Sequence, residues 1–179
     1  MARHVVLLRG INIGPRNRIA MPALRDALEE AGFVDVQTYL QSGNVVLESR
    51  AKPEAVRRKV ETLIRERFDL EIAVVVRTKA QLAAVVKRNP HARVATNPKA
   101  YQVTFLDKKL PAKVVRELEQ VAAPDERVAV AGREVYAWHP GTIARSKLWA
   151  KLAGQGLGVT ATSRNWTTVE ALLRLAADG

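Results

Sequence analysis

Short, nearly unbroken apolar runs alternate along this chain with stretches in which apolar residues recur every third or fourth position. The order of the two patterns is given twice. Residues 4–9 (HVVLLR) are an apolar run closed by Gly10, the pattern of a buried strand. Beyond a polar loop over 10–20, Met21, Leu24, Ala27, Leu28 and Ala31 share one helical face, with Pro22 in the first turn and Gly32 at the stop. Residues 34–40 and 44–48 read as strands joined by Gln41-Ser42-Gly43, a hairpin with glycine in its turn. Residues 53–68 place Val56, Val60, Leu63, Ile64 and Arg67 along one side and their charges elsewhere, an amphipathic helix. A fourth strand over 71–77 runs into Thr78, which can cap a helix carrying Leu82, Val85 and Val86.

Two Asn-Pro steps, Asn89-Pro90 and Asn97-Pro98, then interrupt the pattern, because the residue before a proline is biased away from helix. The same order resumes beyond them: a strand over 101–106, a helix over 111–122, strands over 127–130 and 134–139, a helix over 145–152, a strand over 158–162 and a helix over 165–177. The expected class is therefore α+β, a tandem pair of ferredoxin-like βαββαβ halves, each with a four-stranded antiparallel sheet and an extra C-terminal helix. The expected bounds are 1–90 for the first half, 91–98 for a linker and 99–179 for the second half. In each half the last strand joins its helix in the same register, Arg77-Thr78-Lys79 in one and Arg164-Asn165-Trp166 in the other.

This topology has a consequence for chemistry. Its first and second strands run parallel, so the loop after the first strand and the hairpin turn emerge at the same end of the sheet. That end should collect Arg9, Gly10, Asn12, Arg16, Asn17 and Arg18 with Gln41, Ser42, Gly43 and Asn44. Glycines allow close backbone approach, and the loop leads into a helix N-terminus that favours an anion. The expected ligand there is a phosphate or a carboxylate. Glycine and asparagine also serve turns and arginine also solvates surfaces, and neither GxxxxGK[ST] nor GxGxxG is present. Arg164, Asn165 and Trp166 form a second candidate cluster, able to clamp an anion or stack a base, or else to cap and staple a helix. Tyr101 and Phe105 on one strand and Tyr136 and Trp138 on another occupy the strands that stack bases in RNA-recognition modules, and they equally suit a core.

Charge and composition sharpen this picture. Lys and Arg total 29 against 18 Asp and Glu, a formal charge of +11, which draws polyanions and phosphorylated molecules. The absence of cysteine excludes disulfides, thiolate metal sites and cysteine nucleophiles. His4, His91 and His139 lie far apart and fit no metal spacing, so neither a metal nor another cofactor is expected. No segment reaches the roughly 20 apolar residues of a membrane helix, and the opening apolar run is too short for a signal peptide, so a soluble cytoplasmic protein is expected. Ser42 lacks a GxSxG context, and no acid–base pair accompanies it.

The strings LLRGINIG, TYLQSGNVVLES and SRNWTTVEALL, with the Met-x-x-Leu helix between the first two, resemble a bacterial family known only as domain of unknown function 1697. The resemblance spans nearly the whole chain. It implies two tandem ferredoxin-like halves and brings no activity with it. It marks Arg9, Gly10, Asn12, Ser42, Gly43, Asn44, Arg164, Asn165 and Trp166 as signature positions, with Pro15 and Thr167 standing where the family often has glycine and asparagine. Three readings of function follow: an anion-binding protein for nucleic acid or nucleotide, an enzyme acting on a phosphorylated or carboxylated small molecule, and a protein–protein interaction module. Oligomeric state is not encoded in these patterns.

Overall fold

A computed structural model describes residues 1–154 and 156–178. The chain divides into two compact units, one of Met1–Ala84 together with the stretch from Ala171 onward, the other of Val85–Glu170. Both helices that end a half are crossed by this division, at residues 84/85 and 170/171.

In the first unit β1 (Ala2–Leu8), β2 (Val34–Tyr39), β3 (Asn44–Ser49) and β4 (Val74–Thr78) form an antiparallel sheet in the order β2-β3-β1-β4. Register is fixed by the pairs Val5↔Val46 and Val5↔Arg77. Helices α1 (Met21–Glu30) and α2 (Pro53–Phe68) cover one face of the sheet. Met21, Leu24 and Leu28 of α1 and Val56, Val60 and Ile64 of α2 pack with Val6, Leu8, Val45 and Leu47 in one core. Each such side chain taken from water contributes about 1.5–3 kcal/mol. Strand alternation sends Val5, Leu7, Val46, Val75 and Arg77 to the other face, where they too are buried. Arg67, expected on the inner side of α2, is exposed instead and pairs with Glu30 at 2.7 Å, since a charged head at the last turn reaches water and an acidic partner.

Local chemistry accounts for the element ends. Thr78 and Gln81 form a reciprocal capping box at the start of α3 (Lys79–Arg88): Gln81 N–H donates to Thr78 Oγ1 at 3.1 Å and Thr78 N–H donates to Gln81 Oε1 at 2.9 Å. The β2–β3 turn has four residues, 40–43, where three were expected. Leu40 leaves the strand with φ +58° and Gly43 closes the turn at φ +83°. The expected strand at 71–77 begins at Val74; Ile72 is buried and Ala73 only accepts the Arg9 N–H at 2.9 Å, so this apolar stretch reflects packing without ladder pairing.

The second unit contains β5 (Tyr101–Leu106), α4 (Ala112–Val121), β6 (Arg127–Ala131), β7 (Glu134–Trp138), α5 (Lys147–Ala153), β8 (Ala161–Asn165) and α6 (Trp166–Ala177), with the sheet order β6-β7-β5-β8. Residues 89–97 ahead of it are a series of hydrogen-bonded turns. Leu106, Leu118, Val135, Ala137, Leu148 and Leu152 form the helix-side core. Tyr101, Phe105, Tyr136 and Trp138 share the other face and are all buried, so their rings are closed to a stacked base. The Tyr136 hydroxyl donates to the Val85 carbonyl at 2.8 Å. β8 lies three residues later than the expected 158–162, because Gly158 adopts φ +76° and strand pairing starts only at Ala161. α5 likewise starts at Lys147, after a 3-10 turn at Ile143–Arg145 and a Ser146 cap.

Equivalent pairings recur in the two sheets. Leu8 N–H donates to the Gly43 carbonyl, and Leu106 N–H to the Arg133 carbonyl, both at 2.9 Å. Val103↔Arg164 repeats Val5↔Arg77, and both arginines are buried. No helix among the described residues is long and apolar enough to cross a membrane.

Candidate functional site

At the C-terminal end of β1 the chain enters a loop held open by left-handed backbone at Gly10, Asn12, Gly14 and Asn17. Asparagine and glycine tolerate this conformation where other residues resist it. Asn12 is the fastener. Its Nδ2 donates to the Gln41 carbonyl at 2.6 Å and to the Ile19 carbonyl at 2.8 Å, and its Oδ1 accepts the Ile19 N–H at 2.9 Å. Its backbone N–H reaches the Asn17 carbonyl at 3.0 Å. The loop is thus closed on itself and tied to the hairpin turn, so both stand at one end of the sheet.

Between them lies a recess of about 440 Å³ lined by Asn12, Arg18, Ile19, Ala20 and Gln41. Of its lining residues Arg18 and Gln41 are exposed, as are Arg16, Asn17 and Ser42 elsewhere in the loop and turn, and Arg18 reaches the Gly14 carbonyl at 3.2 Å. Arg9 is half-buried and Gly10 is exposed. Residues 9–20 and 40–43 hold three arginines and no Asp or Glu. α1 begins beside the recess without a side-chain cap, and no acidic residue of its own first turn offsets its positive dipole end.

The remaining candidates play internal parts. Asn44 is fully buried; its Nδ2 donates to the Tyr39 carbonyl and to Ser42 Oγ, each at 3.0 Å, which fixes the turn. Gly43 is buried, and a Cβ there would stand 2.8 Å from Leu8 Cβ and 3.0 Å from Ile11. In the second unit Arg164 is buried, donates to Thr162 Oγ1 at 2.6 Å and to the Ser163 carbonyl at 2.9 Å, and has its pKa pushed down to about 10 by burial. Asn165 caps α6 by accepting the Thr168 N–H at 2.9 Å. Trp166 stacks on Tyr101 with ring centroids 4.9 Å apart. Arg164, Asn165 and Trp166 therefore belong to the second unit's own scaffold, while the loop and turn residues gather in the first.

Sequence reasoning missed one polar cluster. Glu126 Oε2 meets His139 Nδ1 at 2.5 Å and accepts the Ser146 hydroxyl at 2.6 Å, while its Oε1 accepts the Ala123 N–H at 2.9 Å. Burial raises this carboxyl, but those hydrogen bonds outweigh it and hold it below the usual carboxylate value. Ser146 Oγ gives its proton to the carboxylate and accepts the Trp149 N–H at 3.0 Å, so the imidazole does not activate it. The cluster joins three chain segments whose spacing matches no motif, so the sequence carries no signal of it. Among the described residues no group of three or more His, Asp or Glu side chains is placed to hold a metal ion.

The model of a family described as "protein of unknown function (DUF1697)" matches residues 1–136. The chain belongs to this family. That match contains both the Asn12 loop and the hairpin turn it fastens. Among solved structures, this DUF1697 chain is similar to a conserved bacterial protein from Streptococcus pneumoniae, with a TM-score of 0.81, 20% sequence identity and 98% of each chain covered. That likeness extends the shared fold beyond residue 136 to almost the whole chain. Among curated proteins, none matches the chain.

Proposed function

We propose that this DUF1697 protein is a basic, cytoplasmic, phosphate-binding protein whose ligand is nucleic acid or a nucleotide, held at the recess between the first loop and the hairpin turn. In this reading the chain is a tandem of two ferredoxin-like halves, 1–90 and 99–179, joined through 91–98. The observation that carries the reading is the Asn12 fastening, which fixes a 440 Å³ recess with Arg18 in its lining, Arg16 in the same loop and no carboxylate in either supporting segment. An arginine fork meets phosphate oxygens two at a time, and an uncapped helix start adds N–H groups of the right polarity. The formal charge of +11 raises the local concentration of polyanions.

Two features favour binding through phosphates over other modes. The buried Tyr101, Phe105, Tyr136 and Trp138 offer no stacking platform, which leaves the sugar–phosphate backbone as the principal point of attachment and sequence selectivity low. The recess lining of Asn12, Arg18, Ile19, Ala20 and Gln41 carries no carboxylate, imidazole or amine, so it can hold an anion but has no group to move a proton near neutral pH. The test is a filter-binding series against RNA and DNA across salt. Affinity should fall steeply with salt, and R16A/R18A should reduce the log–log slope on duplex by about 2, roughly 0.9 for each phosphate left without its arginine. Absence of binding at low salt overturns the reading.

A further inference from the structure

Five large hydrophobic side chains are exposed among the described residues: Met1, Ile13, Val34, Leu40 and Val94. Two of them, Ile13 at 74% and Leu40 at 57%, sit on the loop and on the turn that Asn12 fastens together. Single exposed aliphatics are ordinary on protein surfaces. These two differ because they crown the same end of one sheet. Leu40 also occupies the left-handed region at φ +58°, where a bulky side chain is disfavoured and where a turn is normally served by glycine or asparagine. The turn therefore keeps a strained backbone and an exposed apolar side chain at one position. Strain retained at an exposed position points toward a ligand.

The surroundings identify the chemistry. Arg16 and Arg18 follow Ile13 in the same loop, Arg18 reaching back to the Gly14 carbonyl at 3.2 Å, and neither supporting segment contains an acidic residue. An aliphatic wedge ringed by phosphate-binding cations matches the way nucleic-acid-binding proteins insert Leu or Ile between bases while cations hold the neighbouring backbone. A lipid surface fits less well. The recess formed by the same two segments has Asn12, Arg18 and Gln41 in its lining, and these polar groups would lose water without replacement in an acyl layer. Against nucleic acid the same groups meet phosphate and base edges.

We propose that Ile13 and Leu40 form an apolar wedge that packs against unstacked bases of the nucleic acid whose phosphates Arg16 and Arg18 hold. This inference rests on the phosphate-binding reading and adds a substrate class to it. Unstacking costs least in single strands, so single-stranded nucleic acid is the preferred ligand over rigid duplex of the same sequence.

The experiment compares wild type, I13A/L40A and R16A/R18A by fluorescence anisotropy on a labelled single strand and its duplex across salt, with 2-aminopurine in the strand reporting base unstacking. Both wedge residues are exposed, so I13A/L40A keeps the fold, which thermal denaturation verifies. Wild type should prefer the single strand and raise 2-aminopurine fluorescence. I13A/L40A should bind the single strand about tenfold more weakly with an unchanged salt slope and no fluorescence rise. R16A/R18A should lower the slope on the single strand by about 1.4, at roughly 0.7 per phosphate, and keep the preference. If I13A/L40A binds as wild type does, the wedge is wrong and the phosphate site stands. If wild type binds no nucleic acid, both fail. If it binds vesicles of anionic phospholipid instead, and I13A/L40A loses that binding, the tips are membrane-inserting and the proposal is overturned.

Discussion

Asn12 and Gln41 lie 29 positions apart in the chain, yet the side-chain amide of one donates to the backbone carbonyl of the other at 2.6 Å. This bond, with the two that Asn12 makes to Ile19, converts a topological coincidence of loop and turn into a fixed recess. A polar side chain that pairs with two carbonyls and one N–H serves as architecture for whatever the recess holds.

Removing it should loosen that end. Asn12→Ala deletes three side-chain hydrogen bonds at about 1 kcal/mol each and leaves a left-handed residue (φ +57°) without the side chain that tolerates it. A loss of about 3 kcal/mol in urea denaturation is expected, with proteolytic cleavage appearing within 10–20. A change below about 0.5 kcal/mol would mean that the fastening is redundant.

Gly43 and Gly10 provide a paired control. Both have positive φ, +83° and +66°, but a Cβ at Gly43 would lie 2.8 Å from Leu8 Cβ, whereas at Gly10 it meets nothing within 4 Å. Gly43→Ala should cost about 2–4 kcal/mol, combining left-handed strain with overpacking, and Gly10→Ala about 1 kcal/mol from strain alone. Equal shifts in denaturation midpoint would contradict the packing around the turn.

Leu40→Gly should separate stability from function. Relief of left-handed strain, about 1–2 kcal/mol, exceeds the extra chain entropy of glycine, so the variant should gain about 0.5–1 kcal/mol while binding nucleic acid less tightly. Reduced thermal stability in this variant would show that the exposed leucine is part of the fold.

Acid should weaken the fold through buried imidazoles. Burial holds His4 and His91 below the usual imidazole value of 6.5, only partly offset by backbone hydrogen bonds at Ala2 and Tyr136, and at His91 the Arg127 charge lowers it further. The unfolded chain therefore binds more protons than the folded one. Their contribution is complete above about pH 6.5 and is lost as pH falls through 6.5 toward the depressed folded values. Urea midpoints measured from pH 7.5 to 5.5 should fall, and His4→Leu should flatten the curve. An unchanged slope in that variant would remove His4 from the account.

The element order is legible in the sequence because each strand is a short apolar run and each helix keeps its spacing of three and four, as α1 and α2 do. Boundaries blur where burial and pairing part company. Ile72 is buried outside the ladder, so the apolar pattern starts ahead of β4, and the charged Arg164 conceals a strand in which a guanidinium lies buried. The convergence of loop and turn follows from topology alone. The internal use of Asn12 and Asn44 does not, because asparagine in a turn has the same sequence signature whether it faces a ligand or a neighbouring carbonyl. The apolar pattern places Leu40 in a strand, and its left-handed backbone is visible only in three dimensions.

The most direct test is amide chemical-shift mapping of the full chain during titration with a short oligonucleotide. Binding at the recess predicts that the perturbed resonances cluster in residues 10–20 and 40–43 and disappear as salt is raised. Perturbations confined to other segments, or persisting unchanged at high salt, would contradict it.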